Sequence, residues 1–245
     1  MNRSRNRIFP ATGSPLPCAR TAGVLYALII LLGISGEFLI RSRLIVPEDA
    51  AATASNILGA PGLFRTGFLA DSLMVLCDVG LAVLLYWLLR PAGPLLALLA
   101  LCLRLAQATV IAMNLLNYHA ALLILDGSGT AGGFAPDAAH ALAYLYVDLH
   151  AHGYDLGLLL FGIHCIVLGY LIYRSSFLPR VLGILAVAGG VTYLVGSYIR
   201  FLLPHYVGTF MPMYGLALVA EVSLCLWLLI RGVNAARWHQ RAAMN

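Results

Sequence analysis

Residues 148–165 read DLHAHGYDLGLLLFGIHC, so Asp148, Asp155, His150, His152 and His164 sit within a run of Leu, Ile and Phe. Charged groups are costly to bury in an apolar medium unless paired, and the stretch therefore raises the question of solvent. The chain around it is 61% apolar and only 10% charged, against about 45–50% and about 25% for a soluble domain. So few charges cannot coat a water-facing surface, and hydrocarbon is the solvent that fits. Several apolar runs exceed the roughly 20 residues that cross a bilayer as helix. An all-α, polytopic membrane helix bundle is predicted, a multi-pass protein of the inner (cytoplasmic) membrane with the lipid bilayer as its first partner.

Working outward, six spans are expected over about 21–41, 65–90, 95–125, 139–173, 178–203 and 208–231. They form one membrane domain over 21–234, flanked by a flexible basic tail over 1–20 and a second basic tail over 235–245. The first apolar run carries no small-x-small cleavage pattern and reads as an uncleaved span. The third and fourth spans exceed a bilayer's requirement and are expected to tilt or project. Between spans one and two, LIVPEDAAATASNILGAPGLF (44–64) is too polar to cross. Its Pro47, Glu48 and Asp49 precede an alanine-rich stretch, which predicts a short interfacial helix near 48–58, acids favouring the positive end of a helix dipole. RPAGP at 90–94 and RSSFLPR at 174–180 read as tight turns, and DGSGTAGGFAPDA at 126–138 as a flexible loop.

All 15 cations are Arg. They form no patch interleaved with aromatics, so nucleic acid is not an expected partner. Their bias sets orientation instead. With the N-terminus inside, the inner side holds Arg3, Arg5, Arg7, Arg20, Arg90, Arg174, Arg180, Arg231, Arg237 and Arg241, and the outer side Arg41, Arg43, Arg65 and Arg200. Both termini are thus expected in the cytoplasm. The five cysteines show no CxxC or zinc-knuckle spacing and read as small buried hydrophobes.

Counting at about 1.5 Å per residue from each cytoplasmic end sorts the polar residues into tiers. Asp78 lies twelve residues from Arg90, Arg104 ten from Pro94, His164 ten from Arg174 and Glu221 ten from Arg231. All four fall about 15–18 Å deep, near mid-membrane. Arg104 is placed to satisfy Asp78, Glu221 or both, as a functional cluster or as a structural pair that fixes helix register. A second tier, with Glu37, Asp71, Asn114, Asp155 and Arg200, counts to about 24–30 Å. Asn117, His119, His150 and His152 sit just above. This outer tier is expected to form an outward-facing polar pocket or an interfacial hydrogen-bonded cap. Within span four, Asp148, His152 and Asp155 fall within about 60° of one another, with His150 and His164 on the opposite side. That span should therefore be central, and Gly153 and Gly157 form a GxxxG pair that admits a close neighbour.

RTAGVLYALIILLGISGEFLIRSRLIVPEDAAATASNIL, LADSLMVLCDVGLAVLLYWLLRP, LRLAQATVIAMNLLN and DLHAHGYDLGLLLFGIHCIVLGYLIYRSSFLPRVLG together resemble the bacterial membrane family catalogued as domain of unknown function 4386. The resemblance covers about residues 20–234 and implies a multi-span membrane protein, but no activity. Its recurring polar pattern matches Glu37, Arg41, Arg65, Asp71, Asp78, Arg104, Asn114, Asp148, His150, Tyr154, Asp155, His164 and Glu221; His119 and His152 match it less clearly.

Four functional readings follow. An outer pocket of Glu37, Arg41, Arg65, Asp71, Asn114, Asp148, His150, His152, Tyr154, Asp155 and Arg200 would take a small molecule or lipid, as binding protein or membrane enzyme. His150, His152 and Asp155, with Asp71 and Glu37, are the candidate metal ligands, imidazole and carboxylate suiting zinc or iron; no HExxH or GxSxG motif accompanies them. His150 and His164, fourteen apart on one face, resemble the histidine pairs of di-haem bundles, though each haem needs a second axial ligand. Asp78, Arg104, His164 and Glu221 suggest a transporter or proton relay, without the usual inverted repeat or interrupted helices. A structural or accessory subunit is the fourth reading. Cofactor, substrate and oligomeric state are not specified.

Overall fold

The computed structural model describes residues 14–127 and 132–244. Among them every regular element is a helix. Six are long and apolar enough to cross a membrane: Pro15–Leu44, Pro61–Leu89, Pro94–Leu125, Pro136–Ser175, Arg180–Leu202 and Pro204–Ile230, spans 1 to 6 below. Span 4 has 40 residues, about 60 Å at ~1.5 Å per residue, twice the ~30 Å hydrocarbon thickness, so it projects well beyond the apolar layer. Proline at the first helical position opens spans 1 to 4, where its missing N–H leaves no bond unmade. Span 1 departs from regularity at Gly36–Arg41, a π-helical turn that carries Glu37 and Arg41. Span 6 starts with short turns from Pro204 and settles into regular helix at Tyr214–Ile230.

The burial pattern is that of a soluble protein turned inside out. Leu95 and Leu76 are 77% and 68% exposed, while Arg104 is 1% exposed and Asp71, Asp78 and His150 are buried. Apolar side chains thus face outward and the ionisable groups turn inward, the arrangement that hydrocarbon demands. Two apolar clusters lie at opposite ends of the bundle. One, around Tyr26, Leu85, Leu168 and Trp238, occupies the end where both described chain ends meet. The other, around Ile57, Phe64, Tyr118 and Val147, closes the far end. The buried polar residues of span 2, Asp71 and Asp78, fall between them in chain order.

Span 4 packs along its length against spans 3 and 5, the central place its two polar faces required. Small residues make this possible. A Cβ on Gly153 would stand 2.1 Å from Asn114 Oδ1, and one on Gly157 2.7 Å from Ile111, so the GxxxG pair is the seam with span 3. Against span 5 the backbones themselves touch: a Cβ on Gly169 would lie 2.5 Å from the Gly183 carbonyl oxygen, and one on Gly162 2.8 Å from that of Gly190.

The short helix appears as Ala50–Gly59, with Asp49 as its cap: Asp49 Oδ1 accepts from the Ala52 N–H at 2.8 Å. Tyr144 of span 4 holds its entry, its hydroxyl oxygen accepting from the Glu48 N–H at 2.7 Å. Two expected boundaries change. Helix begins at Pro15, inside the stretch read as tail, because Ser14 caps it and accepts from the Leu16 N–H; the remainder, 1–13, lies outside the described residues, as do 128–131 of the loop. At the other end, Ala235–Ala243 of the second basic tail is a docked helix. Trp238 is buried, donates from Nε1 to the Leu88 carbonyl at 2.8 Å and stacks on Trp87. The Asn234 N–H donates to the Phe177 carbonyl at 3.1 Å.

The span 4–span 5 seam yields a paired prediction. Gly169→Ala places a methyl group against backbone that cannot yield, and overpacking of this kind costs ~1–3 kcal/mol. Gly215→Ala meets nothing within 4 Å and gains helix propensity of about 1 kcal/mol. Thermal unfolding of the purified variants in detergent is expected to show a lowered midpoint for the first and an unchanged or raised one for the second.

Candidate functional site

The inner tier is built around Arg104. Span 3 sends its guanidinium across to span 2, where Nε and Nη2 both donate to Asp78 Oδ1, at 2.8 and 2.5 Å. Nη1 donates to His164 Nε2 of span 4 at 3.2 Å. Arginine cannot accept, so His164 Nε2 is the acceptor and its proton sits on Nδ1, which donates to the Ala100 carbonyl at 2.8 Å. His164 is therefore a neutral imidazole with both nitrogens engaged. The guanidinium is sandwiched between the Tyr26 and Phe161 rings, 5.5 and 5.1 Å from their centroids. Three of the four residues expected at this depth thus meet directly. Glu221 stands apart, its carboxylate taking a hydrogen bond from the Tyr193 hydroxyl of span 5.

The outer tier divides into separate groups. In the first, Arg41 donates from Nε to Glu37 and from Nη1 to Asp71, each at 2.8 Å. His150 Nε2 lies 3.9 Å from the same Asp71 oxygen. Asn114 donates to the His150 carbonyl at 2.7 Å, tying span 3 to span 4, and its Oδ1 accepts from Asn117 at 3.0 Å. The second group is an ion pair of Asp155 with Arg200 of span 5, with the Tyr214 hydroxyl 3.5 Å from the Asp155 carboxylate. Asp148 and His152 pair across one helical turn at 3.5 Å on an exposed face. Arg65 is exposed and joins none of them.

A cavity of about 180 Å³ lies at the inner tier, not the outer. Every span contributes to its wall: Ile30, Met74, Gln107, Leu158, Tyr193 and Glu221 stand for spans 1 to 6 in order. Asp78, Arg104 and Tyr154 also face it. Of the residues expected in an outer pocket, Tyr154 alone lines this cavity; Arg41 with Glu37 and Asp71, Asp155 with Arg200, and Asp148 with His152 form ion pairs of their own. Ile34 of span 1 and Leu218 of span 6 line the cavity and are also exposed, so its mouth lies between these two helices, facing lipid. Nearer the chain ends the same helices are in tight contact, a Cβ on Gly23 standing 2.7 Å from the Leu229 nitrogen.

The metal candidates do not converge. His150 is held by Asn114, His152 by Asp148, and Asp155 by Arg200. Among the described residues no three His, Cys, Asp or Glu side chains group as ligands. Nor does the haem arrangement fit at the inner level, since His164 Nε2 already accepts from Arg104. Counting of ionisable groups missed Tyr193 and Gln107. Tyr193 lies thirteen residues from Arg180, about 20 Å along the helix, and the same count applied to phenols and amides would have found both.

The buried pair makes a clear demand on stability. Arg104→Leu leaves Asp78 without its cation, and breaking such a pair costs ~3–5 kcal/mol. Replacing both residues, Asp78→Leu with Arg104→Leu, is expected to recover much of the loss, because exchange of a whole buried pair for apolar groups is often neutral. Unfolding of the two purified variants beside the parent checks the order.

An uncharacterized protein of Archaeoglobus fulgidus is 29% identical over 160 residues, covering 65% of this chain and 80% of its own. No solved structure matches the chain. Residues 21–232 match the family described as domain of unknown function (DUF4386), and with nearly the whole membrane bundle inside that match, the chain belongs to this family.

Proposed function

We propose that this protein binds a small amphiphile, a lipid or lipid-like molecule, in the mid-membrane cavity, entering sideways from the bilayer. It does so as a multi-pass protein of the cytoplasmic membrane, with both chain ends and their arginines on the cytoplasmic side. The observation that carries the reading is the cavity itself. Its apolar wall of Ile29, Ile30, Val75 and Leu158 converges on a few fixed polar groups, and its mouth faces lipid between Ile34 and Leu218. Ligand sites have this composition: mostly apolar walls with a small number of placed polar atoms. About 180 Å³ is the volume of roughly six waters at ~30 Å³ each, room for a head group and the start of a chain.

Other readings find less support. A proton relay through Asp78, Arg104, His164 and Glu221 has less support, since His164 ends on the Ala100 carbonyl, which has no proton to pass on, and Glu221 bonds to Tyr193 instead of to the other three. The metal and haem readings lack converging ligands, as described above. A purely structural role accounts for the Asp78–Arg104 pair but leaves the cavity and its mouth unexplained.

The test uses purified protein in lipid nanodiscs and a series of straight-chain alcohols. Saturable thermal stabilisation is expected, about 2.7 kcal/mol at a hundredfold excess over the dissociation constant. Gly33 lines the cavity and a Cβ there meets Met74 Sδ at an unstrained 3.6 Å, so Gly33→Leu extends into the space and is expected to abolish the effect. Equal responses from parent and variant would mean that the alcohols act through the bilayer and would overturn the reading.

A further inference from the structure

We propose that the head group this cavity accepts is a primary ammonium, with Glu221 as its counter-ion. This rests on the binding reading above and names the chemical class of its ligand.

The first argument is charge. Arg104 and Asp78 cancel as a pair, and His164 is the neutral Nδ1–H tautomer, because Arg104 donates to its other nitrogen. Glu221 remains. It forms no ion pair among the described residues, and the Tyr193 hydroxyl that donates to it brings no positive charge. The cavity wall therefore holds two carboxyl groups, Asp78 and Glu221, and one permanent cation, Arg104. A charge near the bilayer centre is tolerated when it is paired, and a cationic ligand supplies the partner that the protein does not.

The second argument is hydrogen bonding, and it is independent of the first. Both bonds from Arg104 land on Asp78 Oδ1, so the buried Oδ2 has no donor, and neither has the buried Gln107 Oε1. Both residues line the cavity together with Glu221. Three oxygen-bearing side chains on three helices thus line one small space, while three of the five Arg104 N–H groups are engaged by Asp78 and His164. A hydroxyl has one N–H- or O–H-type donor to give and a carboxylate has none; an ammonium has three. The lipid-facing mouth at Ile34 and Leu218 then accommodates an apolar chain behind the head group. A bare metal ion fits less well, since much of the wall is Ile, Val and Leu and three oxygen-bearing side chains fall short of the six or more oxygens that hard cations take.

The test compares hexylammonium, hexanol and hexanoate at pH 7 on the full chain in nanodiscs of neutral lipid, by thermal shift and by titration calorimetry. Hexylammonium is expected to bind at least tenfold more tightly than hexanol, and hexanoate more weakly than either. Glu221→Gln is expected to reduce the preference for hexylammonium over hexanol to less than threefold. Because retained hexanol binding shows that the variant is folded with its cavity intact, a failure to fold is recognised at once. Should Glu221→Gln not fold, a Gln107→Leu variant, which removes one acceptor and no charge, is expected to weaken hexylammonium and not hexanol. Equal binding of ammonium and alcohol, or preference for hexanoate, overturns the ammonium assignment while the binding reading stands. Stabilisation by sodium chloride over N-methylglucamine chloride, without any effect of hexylammonium, overturns it in favour of an inorganic ion. Binding of none of the three overturns both.

Discussion

Arg104 is a permanent cation placed where neither water nor the surrounding lipid can stabilise it, and the interior of the bundle is arranged to meet that demand. Its five N–H groups form a rigid fork that needs acceptors at set directions. Asp78 supplies the charge, His164 a neutral acceptor, and Tyr26 and Phe161 the faces above and below. Those partners come from spans 1, 2 and 4, while Arg104 itself is on span 3. One side chain thereby sets the relative height and rotation of four helices. A buried ion pair is weak as net stabilisation, but a sliding or rotated helix would leave a charge unpaired in hydrocarbon, so the pair acts mainly by penalising wrong registers.

The same demand explains why the polar groups occur as several closed sets rather than one network. Arg41 answers Glu37 and Asp71, Arg200 answers Asp155, and Arg104 answers Asp78. Each set draws from helices that are already neighbours. The π-helical turn at Gly36–Arg41 contributes here: the residue without a side chain at 36 lets the Arg41 guanidinium lie back over span 1, where a Cβ would stand 3.2 Å from Nη2. Departures of this kind in a helix concentrate at functional sites. Glu221 is the member of this group of acids for which no cation is provided.

Much of this was legible before any coordinates. Hydropathy and Arg bias act over whole segments and survive small errors, so six spans and the short helix after span 1 could be read directly. Counting residues along a helix gives height in the membrane, and height alone aligned Asp78, Arg104, His164 and Glu221. What counting does not give is direction around the bundle axis. Arg104 had two carboxylates at its level, and only the packing of spans 1 to 4 decides for Asp78. For the same reason counting could not say which members of the outer set pair with which: Arg41 with Glu37 and Asp71, Asp155 with Arg200, and Asp148 with His152. The docked C-terminal helix escaped notice because it is short and polar; its one fully buried side chain is Trp238, with an N–H to satisfy.

The glycine seam joining spans 4 and 5 has a mechanical consequence. Where carbonyl oxygens of one helix sit against the backbone of the next, as at Gly169 with Gly183 and Gly162 with Gly190, the two helices have little room to slide past each other. The cavity is bounded on one side by those two helices and on the other by spans 1 and 6, which clasp each other at Gly23 and part toward Ile34 and Leu218. The close contact at Gly23 fixes these two helices at one end, so the gap between them widens only on the side of Ile34 and Leu218.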